Sequence, residues 1–250
     1  MSIERKSRYE IKLMKKAGEV VAITHQELKK AVRPGISTKE LDKIAYEVIT
    51  SHHADPTFLG YEGFPATICT SINEMVVHGI PSDEIILKEG DIISIDIGAT
   101  LNGFVGDSAW TYPVGEIDDE KKRLLELTEK SLFAALATVK NGSTLNDVGG
   151  AIEDIAVANN LGIVRQYGGH GVGHTMHEEP FIYNYRVGDN TVLKTGMTIA
   201  IEPMLMLGND AVSVAKDNWG VFTKDGSPAA HFEHTIAVTD DGYQILTCID

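Results

Sequence analysis

Apolar residues recur at helical spacing from Ser7 to about Val32, through Ile11, Met14, Ala17, Val21 and Leu28, and the stretch ends at Pro34-Gly35, which cannot continue a helix. A second helix is predicted next, with Ser37 or Thr38 as cap and Leu41, Ile44, Ala45 and Val48 on its apolar face. The same order then returns. Lys121 to Val139 reads as a helix, Asn141-Gly142 stops it, and Ser143 or Thr144 caps another that carries Val148, Ile152 and Ile155. Val32-Arg-Pro-Gly-Ile-Ser-Thr and Val139-Lys-Asn-Gly-Ser-Thr are therefore candidate equivalents in two halves. The expectation is a single domain over 1–250 with pseudo-twofold halves and a site where they meet.

Period-two patterns lie between and after these helices. Asp91-Ile-Ile-Ser-Ile-Asp-Ile-Gly-Ala alternates apolar and polar residues, Asn102-Gly103 makes a hairpin turn, and Phe104 to Val114 alternates again. Further strands are predicted at Gly196-Met-Thr-Ile-Ala-Ile-Glu, Gly220-Val-Phe-Thr and His234-Thr-Ile-Ala-Val-Thr, with turns at Asp225-Gly226 and Asp241-Gly242. The fold class is α+β, with helices covering one face of antiparallel strands.

Composition narrows the partners. With 250 residues, 43% of them hydrophobic, the chain can build a sizeable core, and no Pro/Gly/Ser-rich stretch reads as a linker. Its 22 Lys and Arg against 36 Asp and Glu leave a net charge of −14, spread along the chain. That argues against nucleic acid or an anionic membrane as the main partner, because both reward basic patches. The charged N-terminus does not resemble a signal peptide, and no apolar run reaches the roughly 18 residues of a membrane span. Cys69 and Cys248 cannot make a disulfide framework, so a reducing cytoplasm is expected.

The chemistry begins with Asp96 and Asp107. A two-residue Asn102-Gly103 turn sets residue 98 opposite 107 and residue 96 opposite 109, which makes the two aspartates diagonal neighbours on one face, roughly 7–8 Å apart at the backbone. Two such charges need a cation or a proton between them. Glu202, locked by Pro203 after an apolar strand, and Glu233, expected inside a strand, are carboxylates among core-like neighbours. His170 stands in Tyr167-Gly-Gly-His-Gly-Val-Gly173, where the backbone must approach something closely. Four carboxylates and one imidazole suit divalent Mn, Fe, Co or Zn, and can hold two ions that share a water for amide hydrolysis.

Taken together, Val77-His78-Gly-Ile-Pro81, Ser94-Ile-Asp96-Ile-Gly, Gly106-Asp107-Ser, Gly169-His170-Gly-Val-Gly, His177-Glu-Glu-Pro180, Ile201-Glu202-Pro203 and Phe232-Glu233-His234-Thr resemble the ordered motifs of the type I methionine aminopeptidases, across essentially the whole chain. The resemblance implies the pita-bread fold, a pseudo-twofold antiparallel sheet with helices on its outer face. It implies that Asp96 and Asp107 are ligands with Asp107 bridging, that His170 and Glu202 sit on one ion, and that Glu233 bridges from the other side. His177 would then hydrogen-bond the scissile amide, His78 would contact the substrate backbone or leaving amine, and Glu202 would also shuttle the proton.

The family's methionine pocket falls on Phe58, Tyr61, Phe64, Cys69, Met176 and Trp219, of which Phe58 and Met176 depart from the expected residues. Apolar and aromatic walls suit a thioether. The resemblance fixes no role for His174 or His231, for which a structural or surface role is the default. It further implies removal of the initiator methionine from nascent polypeptides before a small second residue, transient ribosome association and a monomer. The shortness of the chain favours the bacterial type. The rival readings are a proline-specific peptidase of the same fold and a non-catalytic scaffold.

Overall fold

The computed structural model describes residues 3–249, so Met1, Ser2 and Asp250 at the ends of the expected domain lie outside it. Helix α1 (Arg8–Ala31) starts at Ser7, whose hydroxyl accepts from the Glu10 amide while the Glu10 carboxylate accepts from the Ser7 amide, a reciprocal cap that satisfies two otherwise orphan donors. Helix α2 (Thr38–Ser51) begins with the same device at Ser37 and Glu40 and buries Leu41, Ala45 and Ile49, leaving Ile44 and Val48 half-buried.

The strands β1 (Asp55–Pro56), β2 (Ile68–Ile72) and β3 (Met75–Val77) precede the long hairpin of β4 (Ile92–Leu101) and β5 (Phe104–Pro113). Then come α3 (Asp119–Thr138), capped by Asp118, and α4 (Leu145–Ala158), capped by Thr144 with Asp147. After these run β6 (Gly162–Ile163), β7 (Gly169–Gly171), β8 (Glu178–Ile182), β9 (Thr198–Ile201), β10 (Met204–Met206) and β11 (Val212–Val214). The last four strands are β12 (Val221–Thr223), β13 (Ala229–His231), β14 (His234–Val238) and β15 (Tyr243–Ile245).

Strand β4 pairs along its whole length with β5, and its other edge takes β2 and β1. A five-stranded sheet runs β15-β14-β9-β7-β8, and two three-stranded sheets run β13-β10-β6 and β11-β12-β3. Helices α1 and α2 lie on the face of β4 that carries Ile93, Ile95 and Ile97; α3 and α4 lie on the face of β9 and β14 that carries Ile199, Ile201 and Ile236. The alternation along β4 therefore does not separate core from solvent. Its polar side, with Ser94 buried at 4% exposure, is turned inward against the other half, and Ser94 bonds the Thr111 hydroxyl at 2.8 Å.

The two halves repeat in detail. Ser37 bridges Ile86 and Thr144 bridges Val192, with Gly35 and Gly142 donating to the carbonyls of Leu87 and Leu193 at 2.8 and 2.9 Å. Both helices that follow have 14 residues. The repeat continues past the bridges, because Leu87-Lys-Glu-Gly-Asp-Ile-Ile-Ser-Ile-Asp96 and Leu193-Lys-Thr-Gly-Met-Thr-Ile-Ala-Ile-Glu202 share their Leu, Lys, Gly and two Ile positions. Each run ends in a carboxylate.

Candidate metal centre and substrate cavity

The hairpin register is the one the turn dictates, with Asp96 opposite Ala109 and Gly98 opposite Asp107. In the second half the ladder is interrupted. Strands β9 and β14 pair Ile201 with His234, strands β10 and β13 pair Met204 with His231, and Glu202-Pro203 and Phe232-Glu233 lie in the gap between. Glu233 is thus not inside a strand, as the sequence suggested, but at a break between two. A proline cannot donate to a ladder, so Pro203 gives that break a local cause.

Strand β5 holds the break in place. The Ser108 hydroxyl donates to the Glu233 carbonyl at 2.6 Å, the Glu233 amide donates to Ala109 O at 2.8 Å, and the Thr235 hydroxyl donates to Asp107 O at 2.8 Å. Backbone pairing and hydroxyl contacts from one strand to the other thus fix Asp107 and Glu233 relative to each other. His170 arrives on β7, between β8 and β9. A Cβ at Gly169 or Gly171 would lie 2.3 Å from Ala200 O or 2.2 Å from Glu179 O, so the glycines around His170 are required by neighbouring strands.

The donor atoms of Asp107, His170 and Glu233, all buried, lie within 4.8 Å of one another. His170 Nε2 stands 3.4 Å from Asp107 Oδ2 and 3.6 Å from Glu202 Oε1. Asp96 Oδ1, Asp107 Oδ1 and Glu233 Oε1 are buried and have no hydrogen-bond partner among the described residues. Burial, followed by the charges of Asp107 and Glu202, pushes the Asp96 and Glu233 carboxyls well above the usual range. Burial would lower the His170 pKa, but its contacts with Asp107 and Glu202 raise it to about 9. Orphan carboxylate oxygens, mutual repulsion and one imidazole are what a divalent cation satisfies, and the residues fit one.

These groups line a cavity of about 450 Å³. Phe58, Tyr61, Phe64, Cys69, Met176 and Trp219 line the same cavity, with Phe64 edge-on to Trp219 at 5.0 Å between ring centres. His78 and His177 are there too. His78 holds a left-handed backbone, φ 61°, unusual for a residue with a side chain, and its ring meets Tyr167 and Trp219 edge-on. Burial lowers the pKa of both imidazoles, that of His177 further because it lies against His170. The Tyr61 hydroxyl is 2.8 Å from His177 Nδ1.

The turn that carries Met176 and His177 is anchored from far away in sequence. One oxygen of Glu178 accepts from the amides of His174 and Thr175, and the other pairs at 2.8 Å with Lys6, whose side chain is 1% exposed. Burial opposes the Lys6 charge, but Glu178 and Glu4 more than offset it and raise its pKa. The sequence did not single out Lys6, Glu178, Tyr167 or Met204, the last three of which line the cavity, and His231, for which a structural or surface role was the default, is buried and lines it too. The repeat ending in Asp96 and Glu202 was the available signal for the second half. His174 is exposed and stacks on Phe104 at the hairpin tip, with Nδ1 2.9 Å from Gly103 O.

Residues 12–240 match the metallopeptidase family M24. The chain is 52% identical to methionine aminopeptidase 1 of Bacillus subtilis over 243 residues, covering 97% of this chain and 98% of that one. Its fold superimposes on a methionine aminopeptidase from Thermotoga maritima with a TM-score of 0.97 at 42% identity, covering 99% of this chain and 100% of that one. For methionine aminopeptidase from Rickettsia prowazekii the TM-score is 0.96 at 41% identity, covering 98% and 100% of the two chains. Near full-length identity and the same pita-bread architecture lead to one conclusion: the chain belongs to metallopeptidase family M24, on its methionine aminopeptidase branch.

Proposed function

We propose that Asp96, Asp107, His170, Glu202 and Glu233 would together hold two divalent ions, and that the N-terminal methionine of a polypeptide fills the aromatic part of the cavity. The observation that carries this reading is the meeting, in one cavity, of orphan buried carboxylate oxygens with an apolar and aromatic lining of Phe58, Tyr61, Phe64, Cys69, Met176 and Trp219. Bound there, divalent ions supply Lewis acidity and bring the pKa of a water toward neutrality.

The chain's own groups do the rest. Glu202, with its side chain 13% exposed, is the least buried carboxylate in contact with His170, and it takes the proton of the attacking water and returns it to the leaving amine. His177 is neutral at physiological pH, its pKa lowered by burial. In the tautomer that carries its hydrogen on Nε2, His177 would accept from the Tyr61 hydroxyl at Nδ1 and use Nε2–H to stabilise the carbonyl oxygen as negative charge develops. His78 contacts the substrate backbone or the leaving amine. A free amine is needed to reach the acidic end of the cavity, so cleavage is confined to first residues, with a small second residue preferred.

We place the chain in the cytoplasm, as a single catalytic domain and a monomer that acts on nascent polypeptides. No helix among the described residues is long and apolar enough to cross a membrane. A net charge of −14 opposes stable binding to ribosomal RNA, so contact with the ribosome is transient.

The test is release of methionine from Met-Gly-Met-Met, with chelator and then with added Co, Mn, Fe or Zn. Release abolished by chelation and restored by metal is expected. No release with any of the four metals, or release that survives chelation, overturns the reading.

A further inference from the structure

His231 is 2% exposed and lines the cavity, yet its Nε2 is buried without a hydrogen-bond partner. That nitrogen stands 3.4 Å from Glu202 Oε2, while the other oxygen of Glu202 faces His170 at 3.6 Å. The Glu202 carboxylate is therefore bracketed by two imidazoles, only one of which the proposed centre uses.

The internal repeat says why a polar group stands there. In the first half Asp107 pairs with Gly98, two residues beyond Asp96; in the second His231 pairs with Met204, two residues beyond Glu202. His231 thus occupies the position of Asp107 in the second copy of the motif, a diagonal neighbour of its carboxylate on the inward face. Its backbone is fixed by β5, because the His231 amide donates to the Thr111 hydroxyl, which in turn donates to the His231 carbonyl, both at 2.9 Å. A buried ring nitrogen without a partner is unfavourable, and a carboxylate oxygen one short movement away satisfies it.

The geometry points to His231 as a positioning residue that donates its Nε2 hydrogen to Glu202 and holds that carboxylate in the orientation used for cation binding and proton transfer. This rests on the role given to Glu202 above. Hydrogen bonds of this kind, to a carboxylate that itself binds a metal, change metal affinity or activity about 10- to 100-fold when removed.

The experiment compares His231→Gln, which keeps an N–H donor of similar reach, with His231→Met, which fills the space without one. Calorimetric titration of the metal-free protein with Mn²⁺ should show about 10- to 100-fold weaker binding for His231→Met and near-parental binding for His231→Gln. kcat on Met-Gly-Met-Met should fall with the affinity while KM holds, and His231→Met should add little in a Glu202→Gln background. Parental Mn²⁺ affinity in His231→Met, equal losses in both variants, additive losses with Glu202→Gln, or a rise in KM alone each overturn the assignment. Should His231→Met not fold, His231→Ala reads the same loss. Calorimetry keeps this separate from the peptidase reading: a parent that binds Mn²⁺ yet releases no methionine sinks that reading and leaves the His231–Glu202 link to be scored on affinity.

Discussion

In the first half the strand pair that bears the carboxylates is unbroken, ten residues against ten closed by Asn102-Gly103. In the second half the corresponding pair is split, so that Glu202 and Glu233 sit in a gap and the returning strand arrives only after residues 207–228. One half places its carboxylates by a turn; the other places Glu233 by long-range docking onto β5 through Ser108, Thr111 and Ala109. The difference gives the site one wall, with Asp96 and Asp107, on a continuous strand pair, and another, with Glu202, at a break in the pairing. The proton role proposed for Glu202 falls on the second, where one oxygen faces His170 and the other His231.

The sharpest way to break the formal equivalence of Asp96 and Glu202 is to replace each by its amide. Glu202→Gln keeps the shape and removes the proposed proton carrier, so kcat is expected to fall about 10²- to 10⁴-fold with Mn²⁺ affinity reduced far less. Asp96→Asn should show the opposite emphasis, with activity largely recovered by excess metal. Steady-state kinetics across a metal titration separates them. Near-parental turnover in Glu202→Gln would remove its proton role.

A smaller effect concerns the metal-free protein. Burial and like charges hold the Asp96 carboxyl well above its usual range, so between that range, near pH 4, and its folded pKa the native state binds more protons than the unfolded chain. The contribution of Asp96 to metal-free stability therefore declines as pH rises from about 4. Removing the charge in Asp96→Asn should stabilise the chelated protein at pH 7.5 relative to the parent. The gap should close towards pH 4. Urea midpoints at the two pH values, both with chelator, measure it. A gap independent of pH would show that the carboxylate cluster is not strained without its cation.

How much of this was legible follows the same division. Helix ends, both repeated caps and the Asp96/Asp107 register were readable because each depends on residues within a few positions of one another. Glu233 was placed inside a strand because its neighbours look like one, and the break is set by Pro203 on a distant segment. Strands of two or three residues such as β1, β6 and β7 carry too little pattern of their own and exist because a longer partner pairs with them. His231 was indistinguishable from a surface histidine, since its significance comes from Glu202, 29 residues earlier in the numbering. Lys6 was equally hidden, its partner Glu178 lying 172 residues away.

The smallest test asks whether the repeat is energetic as well as geometric. At α2 the Glu40 amide donates to the Ser37 hydroxyl at 3.1 Å and the Ser37 amide to Glu40 at 2.8 Å; at α4 the Asp147 amide donates to Thr144 at 3.3 Å and the Thr144 amide to Asp147 at 2.7 Å. Ser37→Ala and Thr144→Ala each remove the side-chain half of the box and should each cost about 1 kcal/mol. Since the caps share no hydrogen-bond partner, the double variant should lose the sum to within about 0.5 kcal/mol. Both helices pack on the outer sides of the sheets that carry Asp96 and Glu202, away from the cavity, so kcat should stay at the parental value in all three variants at a temperature where each is folded. A double variant that loses more than the sum, or that loses activity while folded, would mean that the halves are coupled through their helices as well as through the β5 contacts, and that the outer layer takes part in setting the distance between the two carboxylates.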